Sequence, residues 1–174
     1  MDKFMLIILA VVIVLIIRQL IPKKVDGFDL LGLPIMAIIR TYAGLPDKLD
    51  GLIIGELISL LALGAVVGYW QAKKTKVFYR DNQLCTVGGY PYIIGWIAML
   101  AGRVIILLLF NFSALVSSFD AGQELLANEI ARIAADWLIW STITASSILY
   151  SLTLYRNHSG IRDFIHERLK KVGR

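Results

Sequence analysis

GAVVGYWQAKKTKVFYRDNQLCTVGGYPYIIGWIAMLAGR, residues 64–103, decides the reading of the chain. It opens on the end of an apolar segment whose glycines stand four apart. Tyr69 and Trp70 close that segment, and a basic strip follows with Lys73, Lys74, Lys76 and Arg80. Lys76–Arg80 and Gln83–Val87 then read as two short strands. Between them Asp81-Asn82 is a pair that tolerates the positive φ of a tight turn. Gly88-Gly89 and Pro91 end the strand and start a second apolar segment, which carries Arg103 inside it. Two spanning helices joined by a cationic hairpin is the simplest object with this pattern.

The rest of the chain agrees. It has 174 residues, of which 57% are hydrophobic, and its mean hydropathy is +0.70. Soluble domains are about 45–50% apolar, and the excess here sits in long runs. A spanning helix takes roughly 20 residues, so the length allows about five or six and little else. The net charge of +5 lies in short blocks beside apolar runs. That is the pattern that orients membrane proteins, not a nucleic-acid stripe. The single cysteine, Cys85, excludes an internal disulfide, a Cys-x-x-Cys redox pair and a cysteine-based zinc site.

The expected architecture is an all-α membrane protein: about five spans, a short cytoplasmic β-hairpin and a C-terminal amphipathic helix. The spans fall at about 3–21, 28–46, 51–70, 92–112 and 133–155, forming a bundle over 1–156. The first has the length of a signal core. It reads as a retained span because Arg18, Gln19, Pro22, Lys23 and Lys24 follow it, and no small-residue cleavage site does. The segment 28–46 holds Pro34 and Arg40 and admits two readings, a kinked span or an interfacial helix. Crossing is favoured because it puts Lys23 and Lys24 on the same side as Lys73–Arg80. The acidic stretch 113–132 suits an outside loop. The tail, 157–174, places Ile161, Phe164, Ile165, Leu169 and Val172 on one face of a basic helix with Ser159 as its expected N-cap. It suits the anionic cytoplasmic leaflet. The N-terminus then lies outside and the C-terminus inside.

Two stretches carry a family likeness. VVIVLIIRQLIPKKVDG ends the first span with Arg18, Gln19, Leu20, Pro22, Lys23 and Lys24. The second stretch is the one quoted above, with Gly64, Gly68, Thr75, Val77, Arg80, Asp81 and Arg103. Together, over about residues 5–110, they resemble the small bacterial multi-pass proteins called CcdC-like. The resemblance implies four shared spans and a place in the bacterial cytoplasmic membrane, with the last span and tail as additions. The family's name refers to cytochrome c biogenesis. This sequence has no cysteine pair, no haem-attachment motif and no histidine within a span, so no thiol or haem chemistry carries over.

Ionisable residues inside spans are costly and point to function by default. Four qualify: Arg40, Glu56, Arg103 and Asp136. In the expected topology they fall in the outer half of the bundle, where Glu56 and Asp136 can neutralise Arg103. Such a cluster either fixes helix register or binds an anion or lipid headgroup. Gly51, Gly55, Gly64 and Gly68 leave a groove on one helix face, which either packs another span of the same chain or docks a partner. Thr75, Val77, Arg80 and Asp81 mark the hairpin strip. Cys85 suits a small apolar strand position, or a thiol activated by nearby lysines.

No catalytic set, metal motif or cofactor signature is present in the sequence. The expected function is a non-enzymatic accessory, assembly or immunity-type subunit. Its partners are the lipid bilayer and either a membrane protein or a second copy, with no nucleic acid. The alternative is a small transporter, or a lipid- or anion-binding protein centred on Arg103.

Overall fold

The computed structural model describes residues 21–46, 48–81, 83–121 and 136–172. The expected first span therefore lies outside the described residues apart from Ile21, and so does 122–135. The described chain is mostly helical, with five helices and one small sheet. In order these are β1 (Lys23–Lys24), a π-helical turn (Phe28–Gly32), α1 (Leu33–Gly44), α2 (Gly51–Lys74), β2 (Lys76–Arg80), β3 (Gln83–Val87), α3 (Gly89–Ala121), α4 (Asp136–Asn157) and α5 (Ser159–Val172). Windows within α2, α3 and α4 are long and apolar enough to cross a membrane.

Local chemistry sets the boundaries. Asp50 caps α2, its carboxylate accepting from the Ile53 N–H at 2.8 Å. At the other end the Thr75 hydroxyl donates to the Gln71 carbonyl at 2.9 Å, and the chain turns into β2. Asp81 sits at φ 50° in the hairpin turn, and Gly89 at φ +62° turns β3 into α3. Pro91 then lies in the first turn of α3, where its missing N–H costs nothing. α3 runs past the expected end at 112, because no Gly or Pro interrupts 104–121.

The hairpin acquires a third strand. β1 pairs antiparallel with β3, Lys23 opposite Thr86 and Lys24 opposite Cys85, giving the order β1-β3-β2. Val25 N–H adds a bond to the Leu84 carbonyl at 2.9 Å.

Contacts give the helix directions. Gly64 faces the backbone of Thr142 and Gly68 that of Ser146, so α2 and α4 run parallel. Gly55 meets Phe110 and Gly102 meets Leu63, so α3 is antiparallel to α2. Gly44 touches Trp137 and Thr41 bonds Thr144, so α1 runs antiparallel to α4. β1 thus lies at the sheet end of the bundle and the start of α2 at the opposite end. The segment from Phe28 to Gly44 covers the distance between them, roughly 25 Å at helical rise.

Two apolar cores mark the ends. At the sheet end Leu30, Ala72, Leu154, Ile161 and Ile165 cluster. At the far end Leu60, Leu107, Trp137 and Leu138 do. Ile161 is fully buried and Ile165 nearly so, so these two positions of the tail helix pack on the protein and are not free to face a bilayer. Ser159 is the first residue of α5 and not its cap. The His158 carbonyl instead accepts from the N–H groups of Ile161 and Arg162.

Candidate functional site

Polar side chains gather at two levels of the bundle. At the far end, α2 places Glu56 on its buried face two turns before Gly64. Asn111 of α3 donates one amide hydrogen to Glu56 Oε1 at 3.3 Å and another to the Leu107 carbonyl at 2.9 Å. Arg103, two turns before Asn111, lies within electrostatic reach of Glu56. Its Nε is buried and takes no hydrogen-bond partner among the described residues. Glu56 and Arg103 are thus brought together, with Asn111 as a third member. Asn111 is a lone amide in the run LLLFNF, the same kind of signal as a charge. Arg40 is not part of the group, because it is exposed on α1. Asp136 is the first residue of α4, and its side chain lies outside the described residues.

The glycines divide. A Cβ at Gly64 or Gly68 would run into the carbonyl oxygen of Thr142 or Ser146, so this half of the groove is filled by α4. Gly55 is covered by the Phe110 ring, whereas a Cβ at Gly51 would have no neighbour within 4 Å among the described residues. Of the two readings of the groove, packing against another span of the same chain is the one seen over Gly64 and Gly68, where small residues let two backbones approach.

In the hairpin strip, Thr75 is buried and meets the Tyr150 hydroxyl at 3.3 Å. Val77 packs on the sheet-end core. Arg80 and Asp81 are exposed, 3.8 Å apart at their nearest charged atoms. Cys85 is a free thiol buried in the middle strand, the position of a small apolar residue.

The second level lies just below the sheet. Here the π turn, α3 and α4 enclose a cavity of about 360 Å³. Tyr92 and Tyr150 meet edge to face across it, ring centroids 6.0 Å apart at 78°. Gln71, itself buried, donates to the Tyr92 carbonyl at 2.9 Å. Trp96 and Trp140 add aromatic wall. The π turn contributes Asp29, which forms an ion pair with Lys23 of β1. π turns are rare and concentrate at functional sites. This one is closed by the Leu33 N–H bonding the Phe28 carbonyl. A more open groove of about 420 Å³ lies between α1, α4 and α5. On its wall Ser151 Oγ is buried without a partner among the described residues.

The sequence pointed to none of the cavity residues. Tyr92 and Tyr150 stand far apart in the chain, and neither lies in a recognisable motif. Asp29 reads as one polar residue in an apolar segment, and only the third strand brings Lys23 to it.

No family model matches the chain, and neither a curated protein nor a solved structure matches it.

Proposed function

We propose that the chain is a multi-pass integral membrane protein that acts by binding another membrane component, as an accessory or assembly subunit and not as an enzyme. The observation that supports the membrane part of this reading is an inverted order of polarity. The most apolar of the three long helices is the least buried, and the least apolar is the most buried. Water would select the opposite order, whereas lipid is no worse a solvent for Leu than a protein core.

The same reading makes Phe28–Gly44 a short fourth crossing within the described chain, since it runs from one end of the bundle to the other. Lys23, Lys24, Lys73, Lys74, Lys76 and Arg80 gather at the sheet end, which supports placing that end in the cytoplasm. The likeness to CcdC-like proteins and a bacterial cytoplasmic membrane fit this reading. Because α4 fills the Gly64 and Gly68 seam, the partner face falls on α3, where Ile97, Leu108, Leu109 and Phe112 are exposed.

Purification in mild detergent tests the proposal. A stoichiometric membrane partner or a second copy is expected to co-purify, and a monodisperse monomer from cells at native expression level would sink it. Orientation is read separately with an impermeant thiol reagent. The burial of Cys85 makes it a poor reporter, so the label belongs on Arg80→Cys in a Cys85→Ala background. Protection in intact cells is expected.

A second reading, an anion or lipid headgroup held at Arg103, is favoured by the buried Arg103 Nε, which lacks an acceptor among the described residues. It expects Arg103→Gln to stay folded and lose a co-purifying lipid.

A further inference from the structure

The cavity below the sheet has no part in the binding reading above. We propose that it is a site for an alkylammonium ligand, a primary or quaternary amine carrying an apolar body. Its volume, about 360 Å³, falls in the small-ligand range of roughly 300–1,000 Å³. Four aromatic residues line it: Tyr92, Trp96 and Tyr150 toward the sheet, with the carboxylates of Asp26 and Asp29, and Trp140 further along α4 at the apolar end. The negative faces of such rings attract a cation, and aromatic cages are the usual device for quaternary ammonium groups.

The rings are held in place. Tyr150 is tied to Thr75 at 3.3 Å and braced edge-on by Tyr92. The backbone of Tyr92 is fixed by buried Gln71. A preorganised cage loses less on binding than one that must assemble.

Charge selects the sign of the ligand. The lining carries two carboxylates against one ammonium, Lys23, which pairs with Asp29. Among the described residues Asp26 accepts only a backbone bond, from the Phe28 N–H at 3.3 Å. Among the described residues the lining is thus negative by one charge, which favours a cation over an anion and leaves Asp26, exposed at the sheet end, to receive it.

The axis of the cavity selects the shape. Lys23, Asp26 and Thr86 lie at the sheet end, whereas Leu33, Met99 and Ile143 lie further along the helices. A cationic head therefore sits near the sheet, with an apolar body directed along the bundle. A free organic cation and the ammonium headgroup of a lipid share this chemistry.

The test uses the full chain in phosphatidylglycerol nanodiscs, with benzyltrimethylammonium as the probe. Two of the four tryptophans, Trp96 and Trp140, line the cavity, so intrinsic fluorescence reports occupancy. Saturable quenching is expected. The neutral isostere neopentylbenzene, at equal free concentration, should bind at least about tenfold more weakly. The Asp26→Asn/Asp29→Asn double variant should weaken the probe by a similar factor with its helical circular dichroism unchanged. If that variant does not fold, the comparison of cation and isostere on the unaltered chain still decides. Equal binding of the isostere, or no saturable quenching by the probe, overturns the site. Replacing half the lipid with phosphatidylethanolamine separates the sources. A loss of probe affinity identifies the lipid ammonium as occupant, and unchanged affinity identifies a free organic cation.

Discussion

Helices α3 and α4 are opposites. The apolar window of α3 has a mean hydropathy of 2.4 and is 17% buried, whereas that of α4 has 1.2 and is 56% buried. α4 lies between α1 and α2, and its inward positions are Ser141, Thr142, Thr144, Ser146 and Ser147. Most of these hydroxyls turn back to their own helix. Thr142, for example, donates to the Leu138 carbonyl at 3.0 Å and Ser147 to that of Thr144 at 3.1 Å. They leave little side-chain volume, and so neighbouring backbones come close. α3 instead presents Ile94, Leu100, Val104 and Leu109 outward. Small polar residues hold the centre and large apolar ones face out, which is how packing is organised where the solvent is itself apolar.

The seam between α2 and α4 offers the largest test. Gly68→Leu drives a side chain into the backbone of Ser146, which cannot rotate away. The cost should exceed the roughly 1–3 kcal/mol of ordinary overpacking, so loss of folded protein on size exclusion is expected. Gly51→Leu, on the same helix but with open space around it, should change stability by no more than about 0.5 kcal/mol. Equal behaviour of the two would break the account of the seam.

Next comes the polar level. Glu56→Ala removes a buried carboxylate from Asn111 and from the reach of Arg103. Arg103 is half-buried, so stranding its charge should cost less than the roughly 3–5 kcal/mol of a fully buried pair. The double variant Glu56→Ala/Arg103→Leu should therefore unfold at a higher denaturant concentration than Glu56→Ala alone. Additive losses would mean that the two charges do not interact.

Truncation then compares the two helices directly. Leu138 of α4 is 2% exposed and Leu109 of α3 is 74% exposed. Leu138→Ala should cost about 2–5 kcal/mol and Leu109→Ala no more than about 0.5 kcal/mol, read by thermal melting in detergent. A large loss at Leu109 would indicate that the partner proposed for this face of α3 stays bound in detergent and contributes to the stability of the fold.

These contrasts also separate what was legible in the sequence from what was not. The hairpin could be read because its signals are local: two β-rich runs around Asp81, whose φ of 50° is what the turn needs. The long helices follow from hydropathy alone. β1 was hidden, because Lys23-Lys24 has no alternation and its pairing with Thr86 and Cys85 spans about sixty residues. The central place of α4 was hidden for a different reason. Hydropathy ranks helices by how well they would suit lipid, and α4 ranks low because its hydroxyl-bearing face is turned into the protein. Of the polar residues singled out, Glu56 and Arg103 come together, whereas the aromatic cavity depends on tertiary contacts that no spacing rule reports. For the tail, amphipathic periodicity gave the apolar face correctly at Ile161 and Ile165. It could not say whether protein or bilayer covers that face.

The smallest expected effect asks whether the hydroxyls of α4 act by bonding or by their size. Thr41 of α1 and Thr144 of α4 lie 2.9 Å apart at their oxygens. Thr41 also donates to the Ala37 carbonyl at 2.9 Å. A hydroxyl has one hydrogen, so Thr144 must be the donor between the helices. Thr144→Val then removes only the interhelical bond. Thr41→Val removes its acceptor and the bond within α1 as well, and should cost more. Interhelical hydrogen bonds of this kind average about 0.6 kcal/mol in double-mutant cycles, and that coupling is expected here. A coupling near zero with both single variants stable would leave size as the whole contribution of Thr144. α4 would then be central because its side chains are small, with their polarity incidental.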